Sequence, residues 1–381
     1  MSTLYFTGFE SGDTSEISNL GTTQSVQATT KRTGGYALQC NPTTTAVGYA
    51  QLFGLATSGV DTRYSAATAY YRFYFQYGTK PSANDEEMFT AEALVDSVPT
   101  QKLVIRLNSD GKLSVYDSVN LLLGTGATVL SSGTWYRIEV SVGTGLTADW
   151  ELKINGTSEI DGTAAIGVDN NGSCVLGKFV NQNGNTVNFY YDDFLVSNSA
   201  FPGAGQCEVM QIDGDGTYTT WTIGAGAGSD WQNIEEIPHD SDTTYLLSTL
   251  TAGNASTGTL ESAASAGISG TINCVKSHCV VKRDGAANGT MQLRLRSGTT
   301  DDDTVNASST ANYVVREKLY DTDPADAGAW TTTDLDGIEV GIEEREATDK
   351  TRCTMACVFV DFTPAAVAST KRSQLMMMGV S

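Results

Sequence analysis

Three segments between residues 131 and 199 alternate hydrophobic with polar side chains, which is the period of an extended strand. The alternation begins in Tyr136–Val142, continues in 150–154 and ends in 187–195. After the second segment comes Asn155-Gly156, a dipeptide that tolerates the positive φ angles of a tight hairpin. The pattern therefore predicts half-buried antiparallel strands joined by tight turns.

Similar segments recur along the chain at spacings of about ten residues, with turn residues between them. The most aromatic of them covers 70–77 and leaves Tyr70, Arg72 and Tyr74 on the side away from the core. A weak helical pattern occurs at 84–95, and the acidic run at 301–303 is expected to be a solvated loop. Short, evenly spaced strands are typical of sandwiches, so we expect an all-β chain with two β-sandwich, jelly-roll-like domains in tandem.

Small residues separate two runs of predicted strands. The 381 residues include 39 glycines and only 7 prolines, a composition that suits many short strands and tight turns. We expect a first domain at 1–202, a linker at 203–206 and a second domain at 207–363. The tail at 364–381 ends in an apolar Leu-Met-Met-Met run, which predicts docking on a neighbour.

The net charge is −21, from 23 basic and 44 acidic residues. A surface this acidic repels phosphate backbones, so we expect no nucleic-acid partner. The chain has no stretch of 18 apolar residues and begins without a basic region followed by an apolar run. These features predict neither a membrane span nor a Sec-type signal peptide, and they leave retention in the cell or release by lysis.

Seven cysteines are an odd number, which does not indicate a disulfide framework. Strand periodicity puts Cys274 on the same face as His278, and Cys353 on the same face as Cys357. A four-ligand zinc site is geometrically conceivable there, although zinc sites normally use a two-residue spacer in a turn. Buried thiols and one cross-strand disulfide are the alternatives.

The first domain resembles the concanavalin-like jelly rolls, which include laminin-G-like modules and several carbohydrate-binding modules. The resemblance rests on WYRIEVSV (135–142), WELKING (150–156) and YYDDFLVS (190–197). It implies a sandwich fold and says little about activity.

The second domain is similar to a module of tailed-bacteriophage virion proteins. The resemblance rests on TTWTIGAGAGSDWQNIEEIPHDSDTTYLLS (219–248), MQLRLRSGTT (291–300) and YVVREKLYDTDPADAGAWTTTDLDGIEVGIE (313–343). It implies a non-enzymatic capsid decoration or a tail- or fibre-associated subunit. Such a subunit would form a homo-oligomer, with a trimer favoured, and contact other virion proteins. It would be assembled in the host cytoplasm and released by lysis. Head and tail both remain open, because neither a capsid-anchoring peptide nor a fibre repeat is present.

The jelly-roll resemblance also implies a structural calcium ion. Glu10 lies near the first strand and Asp192 and Asp193 lie in the last one, as do the acidic ligands of some carbohydrate-binding modules. Calcium takes several hard oxygen ligands, so Glu10 and Asp193 are the expected side-chain ligands, with Asp192 as the substitute. The alternative is that these acids face water or accept hydrogen bonds from turn amides.

A second candidate function is a carbohydrate-binding adhesin. The outward residues of the first domain offer stacking faces and planar donors, which suit sugar rings and their hydroxyl groups. The alternative is that these residues are buried against a loop, a helix or another subunit. The candidates are Tyr70, Arg72, Tyr74, Trp135 and Arg137.

Enzymatic functions find little support. A glycosidase needs two carboxylates at a defined separation in a cleft, and Asp85, Glu86 and Glu87 fall in a predicted loop. His239 and His278 are the only histidines, and neither lies near a nucleophile elbow. We therefore expect no enzyme, with a polysaccharide hydrolase or lyase as a weaker alternative.

Overall fold

The computed structural model describes residues 2–52, 66–95, 98–178, 185–287, 289–304, 306–346 and 349–365. Within these ranges the chain forms two antiparallel β-sandwiches in tandem, as the alternation of hydrophobic and polar residues predicts. The predicted docking tail at 364–381 lies almost entirely outside the described residues.

Two sheets, A and B, form the first sandwich. Sheet A has the order β13-β12-β11-β6-β15-β4-β3, with β1 paired to β15. Its strands are β1 (Thr3–Thr7), β3 (Gln24–Gln27), β4 (Ala37–Cys40), β6 (Ala69–Thr79), β11 (Tyr136–Val142), β12 (Ala148–Ile154), β13 (Thr157–Ala164) and β15 (Asn188–Ser197). Sheet B has the order β10-β9-β8-β7-β14-β5-β2. Its strands are β2 (Asn19–Leu20), β5 (Gly48–Leu52), β7 (Asp85–Val95), β8 (Val98–Asn108), β9 (Leu113–Asp117), β10 (Leu122–Thr125) and β14 (Asn171–Lys178).

Sheets C and D form the second sandwich and share the long strand β16 (Gln206–Thr219). The first half of β16 pairs with β26 in sheet C, and the second half pairs with β19 in sheet D. Sheet C also contains β17 (Thr222–Ala225), β18 (Tyr245–Leu247), β20 (Gly270–Arg283), β24 (Val314–Tyr320) and β26 (Thr351–Pro364). Sheet D also contains β19 (Ala255–Leu260), β21 (Thr290–Ser297), β22 (Thr300–Asp303), β23 (Ala307–Ser308) and β25 (Ile338–Glu344). A 3-10 helix (Asp230–Asn233) and a one-turn α-helix, α1 (Thr332–Leu335), complete the described elements.

The core of the first sandwich follows the predicted alternation. On β6, Tyr71, Phe73 and Phe75 point between sheets A and B, where Phe73 stacks on Phe89 at a centroid distance of 5.2 Å. Burying each such side chain contributes about 1.5–3 kcal/mol. These rings fix which face of β6 is the core, and they thereby direct Tyr70, Arg72 and Tyr74 to the opposite face.

A third hydrophobic cluster joins the two sandwiches. Phe6 and Leu195, paired on neighbouring strands of sheet A, pack against Met355 and Phe359 of sheet C. The outer face of sheet A therefore packs against the outer face of sheet C. The four sheets form a stack in the order B, A, C and D.

The segment from Phe201 to Gly203, where the predicted linker begins, contacts sheet A. The Phe201 ring lies edge-on to Tyr70 at 5.2 Å, and the Lys153 ammonium lies 3.8 Å from its centroid. The Gly203 amide donates a hydrogen bond to Glu139 Oε1 at 2.8 Å. The segment thus runs across the outer face of sheet A and helps to cover it.

Two predictions of local structure were wrong. The segment 84–95, a weak helix candidate that includes the acids predicted to lie in a loop, forms strand β7. Bulges between Glu87 and Phe89 and between Ala91 and Glu92 break its period of two, which explains the ambiguous pattern. Residues 301–303 are not a loop but part of β22, where the Asp301 and Asp303 carboxylates form ion pairs with arginines on the neighbouring strand β21.

The seven cysteines are free and buried. A register shift in the β20–β26 pairing changes the alternation of β26, so that Cys353 faces the core of the second sandwich while Cys357 faces the cluster between the sandwiches. The two residues therefore do not share a face, and the four-ligand zinc arrangement with Cys274 and His278 does not form. Buried thiols are the alternative that the structure supports.

Candidate functional site

The outer face of sheet A carries most of the predicted glycan-binding side chains. Arg72 is 0% exposed, and its guanidinium forms an ion pair with Asp361 on β26 of the second sandwich. Tyr74 is 7% exposed, and the Arg32 guanidinium lies 3.4 Å from its ring centroid. Tyr70 is half-buried, and the Phe201 ring lies edge-on against it. Arg72 and Tyr74 are therefore not open to a glycan, and Tyr70 is partly covered.

Trp135 and Arg137 are half-buried at the margin of the same face. Arg137 Nε lies 3.0 Å from Glu139 Oε2, so its charge is already paired. Arg137 is paired with Tyr74 across β11 and β6, so its nearest aromatic neighbour on that strand is a buried ring. The alternative considered from the sequence, burial against a loop or another unit, describes most of this face.

Four carboxylates meet where the first sandwich contacts the second, and we call Glu10, Asp192, Asp193 and Glu208 the carboxylate cluster. Five successive backbone amides, those of residues 32–36, donate hydrogen bonds to it. Asp192 accepts from the first two, Glu208 from the third and Glu10 from the last two, at 2.6–3.4 Å. The amides and the acids of both sandwiches thus hold one loop in place.

The carboxylate cluster is poorly solvated. Burial, with the nearby charges of Glu208 and Asp193, raises the pKa of Glu10 to about 9. Burial also raises the pKa of Glu208 to about 7, and burial beside Asp193 raises the pKa of Asp192 well above its ordinary value. The ionised forms are therefore costly, and the site would gain from additional positive charge.

Calcium fits the carboxylate cluster in charge but not in position. Arg32 and Arg72 lie near Asp193, and Lys31 lies near Glu208, so the four carboxylates outnumber these cations when all four are ionised. In the described part of the chain, the one set of three ligand-type side chains whose atoms all lie within 4.8 Å of one another is Glu16, His278 and Glu317. The oxygens of the carboxylate cluster do not converge in the same way, and the Arg32 guanidinium already pairs with Asp193.

Calcium at Glu10, Asp192 and Asp193 therefore stays a prediction. A melting temperature that rises with added calcium and falls with a chelator would support it. A melting temperature unchanged by either would remove it.

Lys276 contacts two members of the Glu16, His278 and Glu317 set, namely Glu16 and Glu317. Its ammonium donates to Glu16 Oε1 at 2.6 Å, to Glu317 Oε1 at 2.9 Å and to the Phe6 carbonyl at 3.0 Å. Burial alone would lower the pKa of Lys276, but the two carboxylates raise it above its ordinary value. A resident ammonium with all three protons donated leaves this set without a role for a metal ion. Its role is to join Glu16 of the first sandwich to the second sandwich.

The outer face of sheet B differs because part of it is open. Tyr116 on β9 is half-buried, and its cross-strand partner Leu122 on β10 is 50% exposed. Directly paired residues on antiparallel strands share a face, so the two side chains lie next to each other. Along the same face, Ser114 and Thr125 form a hydrogen bond of 2.8 Å. We call Tyr116, Leu122 and the polar residues around them the β9 platform.

The polar part of the β9 platform is organised around one arginine. The Arg106 guanidinium lies 4.3 Å from the Tyr116 ring centroid and donates to Asn120 Oδ1 at 2.6 Å. It also lies 3.5 Å from Glu87 Oε1 and 3.8 Å from Asp85 Oδ2. The Tyr116 hydroxyl donates to Asp85 Oδ2 at 2.5 Å. Burial, followed by this hydrogen bond, raises the pKa of Tyr116, so the phenol is neutral at ordinary pH.

Further along the same sheet the polar residues are buried. Glu92 accepts hydrogen bonds from Gln51 at 2.7 Å and from Ser173. Lys102 donates to the Asp169 carbonyl at 2.6 Å, and burial lowers its pKa to about 8. These groups satisfy one another or the backbone, so their hydrogen bonds stabilise the sheet.

Sequence reasoning did not select the β9 platform. The alternation of 113–116 does place Tyr116 on the face opposite Leu113 and Val115, and that signal could have identified an outward tyrosine. Asp85 and Arg106 could not be assigned to it, because their proximity depends on the pairing of three strands.

No protein-family model matches the chain, and no curated protein matches it. Solved structures with a similar fold include the cellulose-induced protein Cip1, with 14% identity, 52% of this chain and 99% of that chain covered, and a TM-score of 0.40. An alginate lyase from Corynebacterium sp. has 12% identity, covers 46% of this chain and 81% of its own, and has a TM-score of 0.34. A CBM22 tandem domain from Paenibacillus barcinonensis Xyn10C has 11% identity, coverages of 94% and 97%, and a TM-score of 0.28. At these values the likenesses carry no argument about function.

Helices long and apolar enough to span a membrane are absent from the ranges that the structure describes.

Proposed function

We propose that this chain is a non-enzymatic carbohydrate-binding protein whose binding surface is the β9 platform. The observation that carries the proposal is the half-buried Tyr116 ring beside an exposed Leu122, with the Asp85 carboxylate and the exposed Asn120 amide close to it. The apolar face of a sugar packs on an aromatic ring, while its hydroxyls need donors and acceptors at the ring edge. The platform supplies both.

The position of the platform supports the proposal as well. The other outer face of the first sandwich is occupied by the second sandwich and by the segment around Phe201. A ligand of the first sandwich therefore has access to sheet B rather than to sheet A. The platform also lies on regular strands, which hold its side chains in fixed positions.

The binding test compares Tyr116→Ala with the wild-type protein on a glycan array and then by calorimetry. We expect loss of about tenfold in affinity for the ligands that the wild-type protein binds. Tyr49→Ala is the matched control, because Tyr49 is a half-buried tyrosine on β5 of the same sheet. Equal affinity for Tyr116→Ala and wild type would contradict the proposed surface, and turnover of any polysaccharide would contradict the non-enzymatic role.

The virion role, the homo-oligomer and release by lysis stay predictions from the sequence resemblance. Carbohydrate binding is compatible with a virion subunit that contacts a surface glycan. The solution mass of the purified chain tests the oligomer: a trimer supports a virion subunit of the expected kind, and a monomer removes the self-association on which that role depends.

A further inference from the structure

We infer that the β9 platform selects neutral glycans that carry an apolar substituent, an acetamido or 6-deoxy methyl group, over acidic glycans. The inference rests on the proposed carbohydrate-binding function and narrows it to a class of ligand. Three features of the platform lead to this inference. They are the net negative charge around Tyr116, the ion pairs that Arg106 already makes and the aliphatic side chains at the rim.

The charge around Tyr116 is negative. Asp85 and Glu87 lie beside Arg106. Two carboxylates therefore flank one guanidinium. The whole chain adds a net charge of −21. A uronate or sulfated glycan would meet repulsion at this surface.

Arg106 is the cation of the platform, and it is buried with its charge already balanced. Its Nη2 donates to Asn120 Oδ1, and the Asp85 and Glu87 carboxylates lie close to its guanidinium. Recognition of a sugar carboxylate by arginine needs a free bidentate edge. Binding an acidic sugar would require Arg106 to leave Asp85 and Glu87, and both acids would then remain partly buried without their partner.

The rim of the platform is aliphatic. Leu122 is 50% exposed beside Tyr116, and the turn that carries Asn120 exposes Val119 by 77% and Leu121 by 62%. A sugar with hydroxyl groups alone would not use these side chains. A methyl group on an acetamido or 6-deoxy position would bury apolar area there, and each buried methyl contributes about 0.8 kcal/mol.

The experiment measures binding of two panels by the full chain. The neutral panel contains N-acetylglucosamine oligomers, a rhamnose-rich polysaccharide and, as a neutral polymer without the substituent, dextran. The acidic panel contains alginate and heparin. Each is titrated at about 20 mM and about 300 mM salt, a range over which surface electrostatics weaken strongly. The variants are Tyr116→Ala and Leu122→Ser, with Tyr49→Ala as the control, and each must keep the wild-type melting temperature within a few degrees.

We expect binding to at least one substituted neutral glycan, with an affinity that does not change with salt. Tyr116→Ala should weaken it about tenfold and Leu122→Ser about threefold. Tyr116-dependent binding of alginate or heparin that weakens with salt would overturn the inference and leave the carbohydrate-binding function intact. Equal binding of dextran, unaffected by Leu122→Ser, would overturn the role of the apolar rim. If the chain bound no glycan of either panel, the proposed carbohydrate-binding function itself would be overturned.

Discussion

The two outer faces of the first sandwich carry similar residues and serve different ends. On sheet A, Arg72 is buried against Asp361 of the second sandwich, and Tyr74 is buried under the Arg32 guanidinium. On sheet B, Tyr116 rests against Arg106 in the same kind of arginine–tyrosine contact, but its other neighbours leave it half-exposed. The two faces carry the same residue types. They differ in which part of the chain covers them.

The comparison teaches that charge on a covered face becomes part of the fold. Lys276 and Arg72 are completely or almost completely buried and would be costly alone, so each depends on carboxylates from the opposite sandwich. Such ion pairs link the two sandwiches, and removal of either partner alone would leave a buried charge unpaired. On the outer face of sheet B, Tyr116 stays half-buried and Leu122 stays exposed.

The largest effect is expected for Lys276→Met. The substitution leaves Glu16 and Glu317 close together without their shared cation, so the free energy of unfolding should fall by about 5 kcal/mol. Lys282→Met is the matched control, because Lys282 lies on the same strand and pairs with the exposed Asp242 at 2.9 Å. It should cost less than about 1 kcal/mol. If denaturant unfolding gave equal losses of free energy for the two variants, the buried ion pair between the sandwiches would be no more stabilising than the exposed pair.

A double-mutant cycle on Arg72 and Asp361 has the next largest effect. Arg72→Met and Asp361→Leu should each cost about 3 kcal/mol, since each leaves one buried charge without its partner. The double variant should lose less than the sum of the two by about 1–3 kcal/mol. If the losses of unfolding free energy in urea were strictly additive, Arg72 and Asp361 would not interact directly. If these variants changed the affinity for a glycan, the covered face of sheet A would not be separate from the binding surface on sheet B.

A smaller effect concerns pH. Burial and the neighbouring acids raise the pKa of Glu10 from 4.5 to about 9, so the folded chain keeps a proton that the unfolded chain releases. Stability from this group is therefore present below about pH 4.5 and is lost as the pH rises toward 9.

Glu10→Gln should flatten the fall in melting temperature between about pH 5 and about pH 9, measured with a chelator present. Glu151→Gln, on the partly exposed strand β12, is the control and should keep the wild-type slope. The account of the carboxylate cluster fails if Glu10→Gln and wild type have the same slope.

The sequence allowed the fold class and the main strands to be predicted, because alternation at β6, β11 and β12 is set by a single core within one sandwich. The outward position of Arg72 and Tyr74 was also correct within their own sandwich. The burial of Arg72 could not be predicted, because it depends on the second sandwich, which lies more than 280 residues along the chain at the Arg72–Asp361 pair. Tyr74 is covered by Arg32, a loop residue whose position depends on the assembled fold. The local alternation of hydrophobic and polar residues predicts which face of a strand points away from its own core. It does not predict which other part of the chain covers that face.

The same limit applies to the sites. Proximity of Glu10 to Asp192 and Asp193 was expected from the jelly-roll resemblance, and the structure adds Glu208 and the amides of 32–36 to that group. The register shift in the β20–β26 pairing puts Cys353 and Cys357 on different faces of β26. It could not be predicted from the sequence, because both residues are compatible with a regular strand. The meeting of Tyr116, Arg106 and Asp85 depends on strand register, which becomes visible only once the sheet is assembled.

The central claim is that the open face of sheet B, and not the covered face of sheet A, binds carbohydrate. The most direct test is a pair of binding isotherms for one glycan ligand, measured with Tyr116→Ala and with Trp135→Ala, an aromatic residue at the margin of sheet A. The account predicts about tenfold weaker binding for Tyr116→Ala and wild-type binding for Trp135→Ala. Weaker binding for Trp135→Ala with wild-type binding for Tyr116→Ala would contradict it.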